Sequence, residues 1–210
     1  MTHLDLIPRS QSHWDGIYAR TASDAVSWYR PHLETSLRFI EKIASPADRI
    51  IDVGGGRSTL VDDLLDRGFR DVTVLDLSAV ALEQTRQRLN AKIGKVHWEA
   101  TDILTAELPR AGFDLWHDRA VFHFLTRPEQ RDAYVSQAAN AIASAGWLLI
   151  AVFGPEGPLK CSGLDVCRYD AASLARTLEP RFALSNSCLD SHQTPFGTVQ
   201  QFQVCLFRRL

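Results

Sequence analysis

Ile50-Ile51-Asp52-Val53-Gly54-Gly55-Gly56-Arg57-Ser58-Thr59 is the stretch on which the fold turns. An apolar run reaches an acid, three consecutive glycines follow, and an amphipathic segment begins. Residues 49–53 read as a buried strand. Over 59–67, Leu60, Val61, Leu64 and Leu65 recur at helical spacing, and Gly68 suits the helix end. Three glycines in a row are entropically costly. They mark a turn that needs positive φ, or a backbone that something must approach closely. A strand turning straight into a helix also predicts unbonded N–H groups at the helix start, which suit a carboxylate or phosphate.

The same alternation continues outward. Residues 72–75, 96–100, 113–116 and 147–153 read as further strands. Ser78 caps a helix running to about Lys92, with Leu82 and Leu89 on one face. Thr126-Arg127-Pro128-Glu129 has a capping-box pattern with proline in the first turn, predicting a helix to about Ala143. Asp170 starts another helix, stopped near Pro180. Residues 182–189 and 199–207 read as adjoining strands, with Phe202, Val204 and Leu206 alternating with Gln201, Gln203 and Cys205. This order predicts an α/β fold: a doubly wound, mostly parallel sheet with helices on both faces and an antiparallel C-terminal strand. Ligands then bind beyond the carboxyl ends of the strands.

Composition narrows the function. A chain of 210 residues that is 45% hydrophobic fits one domain with a substantial core. A net charge of -2 supplies no global basic field, so neither nucleic acid nor an anionic membrane is an expected partner. No apolar run is long enough to span a bilayer. The first twenty residues lack the apolar core of a secretory signal, so the expected location is cytoplasmic. Cys161, Cys167, Cys188 and Cys205 form no CxxC pair, so free thiols and no metal site are expected.

Two nucleoside cofactors compete for the glycine turn. A dinucleotide fingerprint, G-x-G-x-x-G, would place its third glycine at Thr59. The pattern acid-x-G-x-G-x-G is matched by Asp52, Gly54 and Gly56, with Ser58 at its last glycine. This stretch resembles motif I of the class I S-adenosylmethionine-dependent methyltransferases, and the resemblance covers about residues 48–153. It implies a seven-stranded sheet and S-adenosyl-L-methionine as cofactor. The Gly54-Gly55-Gly56 turn and Ser58 would lie against the methionyl part, with Asp52 helping to hold its amino group. Asp76, beside Leu77, ends the second strand about 20 residues past the glycines, where an acid can accept both ribose hydroxyls. A dinucleotide fold places an acid there too. Asp102 and Ile103, after the third strand, match the family's acid for the adenine amino group and its apolar neighbour.

On the acceptor side, the family's segment after the fourth strand lies beside the transferable methyl. Asp118, Arg119 and His123 are therefore the candidate catalytic residues, with Asp118 also a cofactor contact and His123 a possible proton acceptor. Trp14 and Tyr18, in an aromatic N-terminal stretch that includes Trp28, are expected to cover the cofactor, with π faces that favour a sulfonium cation. The loop 154–169 borders the acceptor pocket. There Cys161 and Cys167 are candidates for a soft substrate such as arsenite, and Arg168 and Tyr169 for an acceptor carboxylate. The whole chain is then one methyltransferase domain: an N-terminal helical lid over 1–45, a cofactor-binding core over 46–153, and an acceptor-side loop with C-terminal strands over 154–210. The expected reaction is methyl transfer to a small molecule. A protein lysine is the alternative acceptor. An NAD-dependent oxidoreductase and a non-catalytic nucleoside-binding module are the readings of another class.

Overall fold

The computed structural model describes residues 11–210, apart from the side chains of Ala91 and Ile93. The first ten residues of the expected lid segment lie outside the described residues. Five strands run parallel: β1 (Arg49–Val53), β2 (Asp71–Asp76), β3 (Val96–Ala100), β4 (Phe113–Arg119) and β5 (Ile142–Phe153). A short hairpin follows, made by β6 (Lys160–Cys161) and β7 (Leu164–Asp165). The last two strands are β8 (Phe182–Gln193) and β9 (Val199–Arg209). The main sheet has the order β3-β2-β1-β4-β5-β9-β8, with β9 antiparallel to both neighbours. The chain builds outward from β1 to β3, then returns to the other side of β1 for β4. A crevice opens at such a reversal, beyond the strand ends.

Helices cover both faces because the strands are apolar on both. On one face, α2 (Glu34–Ile43), α3 (Leu60–Asp66) and α4 (Ala79–Leu89) pack Leu37, Ile40, Leu60, Leu64 and Leu82 against Ile50, Val72, Leu115 and Leu149. On the other, α5 (Pro128–Ala141) and α6 (Ala171–Leu178) pack Tyr134, Ala138, Leu174 and Leu178 against Ile51, Trp116, Ile150 and Phe207. Each fully buried Leu, Ile or Phe contributes about 1.5–3 kcal/mol, so the two layers supply the main driving force. The helix α1 (Gln11–Arg20) packs onto α4, where Ser78 Oγ donates to Asp15 Oδ1 at 2.5 Å.

Two local expectations are corrected. Thr126 is not the cap of α5: the helix starts at Pro128, and the Gln130 side chain, not Glu129, accepts from the Arg127 N–H at 3.3 Å. Proline fixes the start one residue later than the capping-box pattern implies. α4 ends at Leu89 rather than near Lys92, because Asn90 turns to φ 46° and a 3-10 turn follows. Residues 34–43, expected within the helical lid over 1–45, form α2, and Leu37 and Ile40 pack it into the core against the sheet.

Candidate functional site

The glycine turn joins β1 to α3, and each glycine is there for a different contact. Gly54 has φ +70°, and a Cβ on it would lie 2.1 Å from Val121 Cγ2. A Cβ on Gly55 would lie 2.6 Å from both Asp52 Oδ2 and Val74 Cγ1. One on Gly56, at φ +33°, would lie 2.7 Å from Asp76 Oδ2. The turn is therefore closed around Asp52 and Asp76.

Its amides are also engaged. The N–H groups of Gly54 and Gly55 both donate to Leu75 O, at 2.7 and 3.2 Å. Gly56 N–H bonds the Asp76 carboxylate, and Ser58 N–H donates to Gly55 O at 2.6 Å. The amides of the three glycines themselves therefore face protein acceptors. Ser58 at the family's last glycine has its own explanation, because its Oγ accepts the Leu60 N–H at 3.1 Å as α3 begins.

Beyond the strand ends lies a cavity of about 580 Å³. Gly54, Asp76, Leu77, Asp102 and Ile103 form one end of its wall, and Trp14, Tyr18, Trp28 and Phe124 cover it. The wall continues past Arg119 to Phe153, Cys161 and Phe202. A small annex of about 50 Å³ adjoins it, lined by Asp52, Gly55, Ser58, Arg57 and Trp28 among others. Asp52, Gly54, Gly55, Ser58, Asp76, Leu77, Asp102, Ile103, Trp14, Tyr18 and Arg119 thus meet at one connected site, with Gly56 packed directly beneath Asp76.

Asp118 and His123 line neither space. Asp118 is fully buried and accepts from Tyr134 Oη at 2.5 Å, Val121 N–H at 3.0 Å and Phe122 N–H at 3.2 Å. It therefore fixes the turn after β4 instead of facing the cavity. Trp116 Nε1 donates to the same Tyr134 hydroxyl at 2.9 Å, so a satisfied polar chain runs through an apolar layer. His123 is buried between Phe124 and Phe153, with ring centroids 4.6 and 4.5 Å away, and its Nδ1 accepts the Phe153 N–H at 3.3 Å. An imidazole held this way shapes the wall from behind and does not reach the cavity.

Three acids dominate the electrostatics. Burial pushes the Asp76 carboxyl up to about 7, with Asp52 and Asp15 adding repulsion, while Ser78 N–H at 2.7 Å pulls the other way. Asp52 is held by His117, whose Nδ1 lies 2.7 Å from Asp52 Oδ1 and whose Nε2 lies 2.9 Å from Ser36 Oγ on α2. A carboxylate only accepts, so Nδ1 carries the proton, and a neutral ring then accepts from the serine hydroxyl. Asp52 Oδ2 stays buried without a partner at the annex. The sequence alone gives His117 no role, because its partner Ser36 lies far away along the chain, on α2.

The cover is fastened at both ends. Arg57 Nη1 donates to Thr21 O at 2.7 Å and its guanidinium lies 4.8 Å from the Tyr18 ring centroid. Arg30 Nε donates to His192 Nδ1 at 2.9 Å, which forces Nε2 of that ring to donate to Ser27 O at 2.7 Å. Trp14 packs edge-on against Trp28 and Phe124, at 6.1 and 5.3 Å.

The loop after β5 behaves otherwise than expected. All four cysteines are free, but Cys161 lines the cavity and Cys167 does not. Burial pushes the Cys161 thiol up to about 11, so it is not the thiolate that a soft metalloid needs. Arg168 donates to Gly157 O, and Tyr169 is buried against Phe122; neither lines the cavity.

Comparison with known proteins agrees with this geometry. Residues 50–146 match the family model described as a methyltransferase domain. The eEF1A lysine and N-terminal methyltransferase of Bos taurus is 24% identical over 152 residues, covering 70% of this chain and 22% of that protein. EEF1A lysine methyltransferase 4 of Bos taurus is 31% identical over 129 residues, covering 58% of this chain and 48% of that one. The chain therefore spans under half the length of either relative. Among solved structures, a methyltransferase of Methanosarcina mazei superposes with a TM-score of 0.70 at 16% identity, covering 82% of this chain and 97% of that one. The N-methyltransferase NodS of Bradyrhizobium japonicum, in complex with S-adenosylhomocysteine, gives 0.69 at 17%, covering 95% and 97%. Among the described residues no helix is long and apolar enough to cross a membrane. The sheet order is that of the class I methyltransferase fold, and residues 50–146, which include the glycine turn, carry the match to a methyltransferase domain.

Proposed function

We propose that this protein transfers a methyl group from S-adenosylmethionine to a small-molecule nucleophile. One observation carries the reading: a single chamber runs unbroken from Gly54, Asp76 and Asp102 to Arg119, Cys161 and Phe202. A nucleoside and an acceptor fit end to end in it. Asp76 accepts the ribose hydroxyls. Asp102 and Ile103 take the adenine, with Leu77 beside it. The glycine turn and Ser58 lie along the amino-acid part, and the unpartnered Asp52 oxygen receives its ammonium group. Trp14 and Tyr18 close over the cofactor. The cofactor supplies an activated methyl on a good leaving group. The chain's task is to hold acceptor and methyl carbon in line and keep water out.

The wall also limits the acceptor. Among the described residues it contains no histidine, and burial raises both Cys161 and Tyr18, so neither is a base near neutral pH. An acceptor that is already nucleophilic at neutral pH, such as an ionised or soft group, suits this wall better than a protonated amine. Protein lysine remains the second reading, favoured by the names of the relatives. A screen for S-adenosylhomocysteine release across thiols, phenols, amines, carboxylic acids and cellular protein tests both. Turnover with small molecules is expected; turnover confined to protein overturns the small-molecule reading.

The raised Asp76 carboxyl gives a pH prediction. A carboxyl whose folded pKa is raised favours the folded state below its unfolded pKa of 3.8, and that contribution fades as pH rises through about 7. Ribose hydroxyls need the ionised form as acceptor. S-adenosylhomocysteine affinity is therefore expected to rise as pH climbs through about 7, up to tenfold per unit below it. Calorimetric titrations at several pH values measure this; in an Asp76→Asn variant the pH dependence should disappear.

A further inference from the structure

Arg119 closes β4, and its side chain borders both the chamber and the annex beside the glycine turn. Its guanidinium carbon lies 4.5 Å from the centroid of Phe202, a residue of β9. In the sheet, Arg119 pairs with Ala151 of β5, and Phe153 of β5 pairs with Phe202. The side chain thus reaches across β5 towards β9, the direction opposite to β1 and β2. It therefore stands at the far end of the chamber from Asp76 and Asp102.

Its hydrogen bonding is incomplete. Nη1 donates to Trp28 O at 3.0 Å, whereas Nη2 is buried with no partner. Among the described residues no acid in the vicinity bonds it. Asp190 is paired with Arg30 at 3.3 Å and Asp165 with Lys160 at 3.3 Å, and Asp52 Oδ2, itself unpartnered, makes no bond to Nη2. A buried cationic nitrogen with no acceptor is destabilising unless a ligand completes it. Burial, together with repulsion from Arg30, lowers the Arg119 guanidinium to about 10, as befits a cation lacking its counter-ion, yet it stays charged at neutral pH. Around it, Phe124, Phe153 and Phe202 make the wall apolar.

We propose that Arg119 recognises a carboxylate on the methyl acceptor, so that the substrate is a compact acid with an apolar body. This rests on the transferase reading above. A singly charged carboxylate fits one free guanidinium edge; a phosphate would bring more charge into the same apolar wall at a higher desolvation cost. Arg119 positions the acceptor by this contact, and the aromatic walls hold the acceptor's body.

The test pairs small aromatic and aliphatic acids bearing a thiol or hydroxyl with their amides. Each is offered with S-adenosylmethionine, and each is titrated into protein saturated with S-adenosylhomocysteine. Acids are expected to bind and turn over at least tenfold better than their amides. Arg119→Met should abolish that preference, and Arg119→Lys should retain part of it. Equal use of acids and amides, no acid binding to the loaded protein, or a preference that survives Arg119→Met would each overturn the proposal. A second pair of probes separates the cofactor's own carboxylate. If Arg119 held it, Arg119→Met would weaken S-adenosylhomocysteine but not 5′-methylthioadenosine, which lacks the amino acid; the ratio of the two affinities is expected to stay unchanged. Failure of wild-type protein to bind S-adenosylhomocysteine at all would instead sink the transferase reading.

Discussion

Asp76→Ala is expected to weaken S-adenosylhomocysteine binding by at least about 100-fold, since two hydroxyl-to-carboxylate hydrogen bonds are lost and each is worth about 1.5–3 kcal/mol. The carboxylate sits at the end of β2 in the cavity wall, and its position is set by Ser78 N–H and Gly56 N–H. The fold should not suffer in proportion. Asp76 is buried close to Asp52 and Asp15, so its removal relieves repulsion as well as desolvation. Calorimetry should show the loss of affinity, while thermal unfolding of the unliganded variant near pH 8 should show a melting temperature equal to or above wild type. An affinity within threefold of wild type would mean that the ribose is held elsewhere.

Gly54→Ala should act on the fold first and on binding second. At φ +70° an alanine costs about 1–2 kcal/mol in the backbone. Its Cβ would overlap Val121 Cγ2 at 2.1 Å, an overpacking that adds about 1–3 kcal/mol. For a chain of this size that corresponds to a drop of about 10 °C in melting temperature. The double variant Gly54→Ala/Val121→Ala separates the two causes. It should recover the overlap and keep the backbone strain, so about half of the loss returns. No recovery would show that the crowding is not with Val121.

The succession of strands and helices along the chain was legible because the parallel strands are apolar and are punctuated by glycine, serine and proline at their ends. The glycine turn and the acids Asp52, Asp76 and Asp102 were legible because each stands where a strand stops. Helix α2 was legible only as part of a helical segment ahead of the first strand, since its short apolar period falls among polar residues and does not tell which face of the sheet it covers. The Asp52–His117–Ser36 chain was not legible, because its members are far apart in sequence. Asp118 lies within β4 with its side chain on the α5 face, and His123 lies in the 3-10 turn Phe122–Phe124, which buries it. Sequence position places a residue near the crevice, whereas its side-chain direction depends on one or two backbone dihedrals. Phe202 illustrates the converse. It read as one member of an alternating strand, and its place in the chamber wall required knowing that β9 lies beside β5.

The central claim is that the chamber beginning at Gly54 and Asp76 takes a sulfur nucleoside and not a dinucleotide. Calorimetric titration of the purified protein with S-adenosylhomocysteine, with NAD in parallel, tests it most directly. Saturable one-to-one binding of the first and no heat from the second is the expected result. Binding of NAD, or silence with S-adenosylhomocysteine, would contradict it.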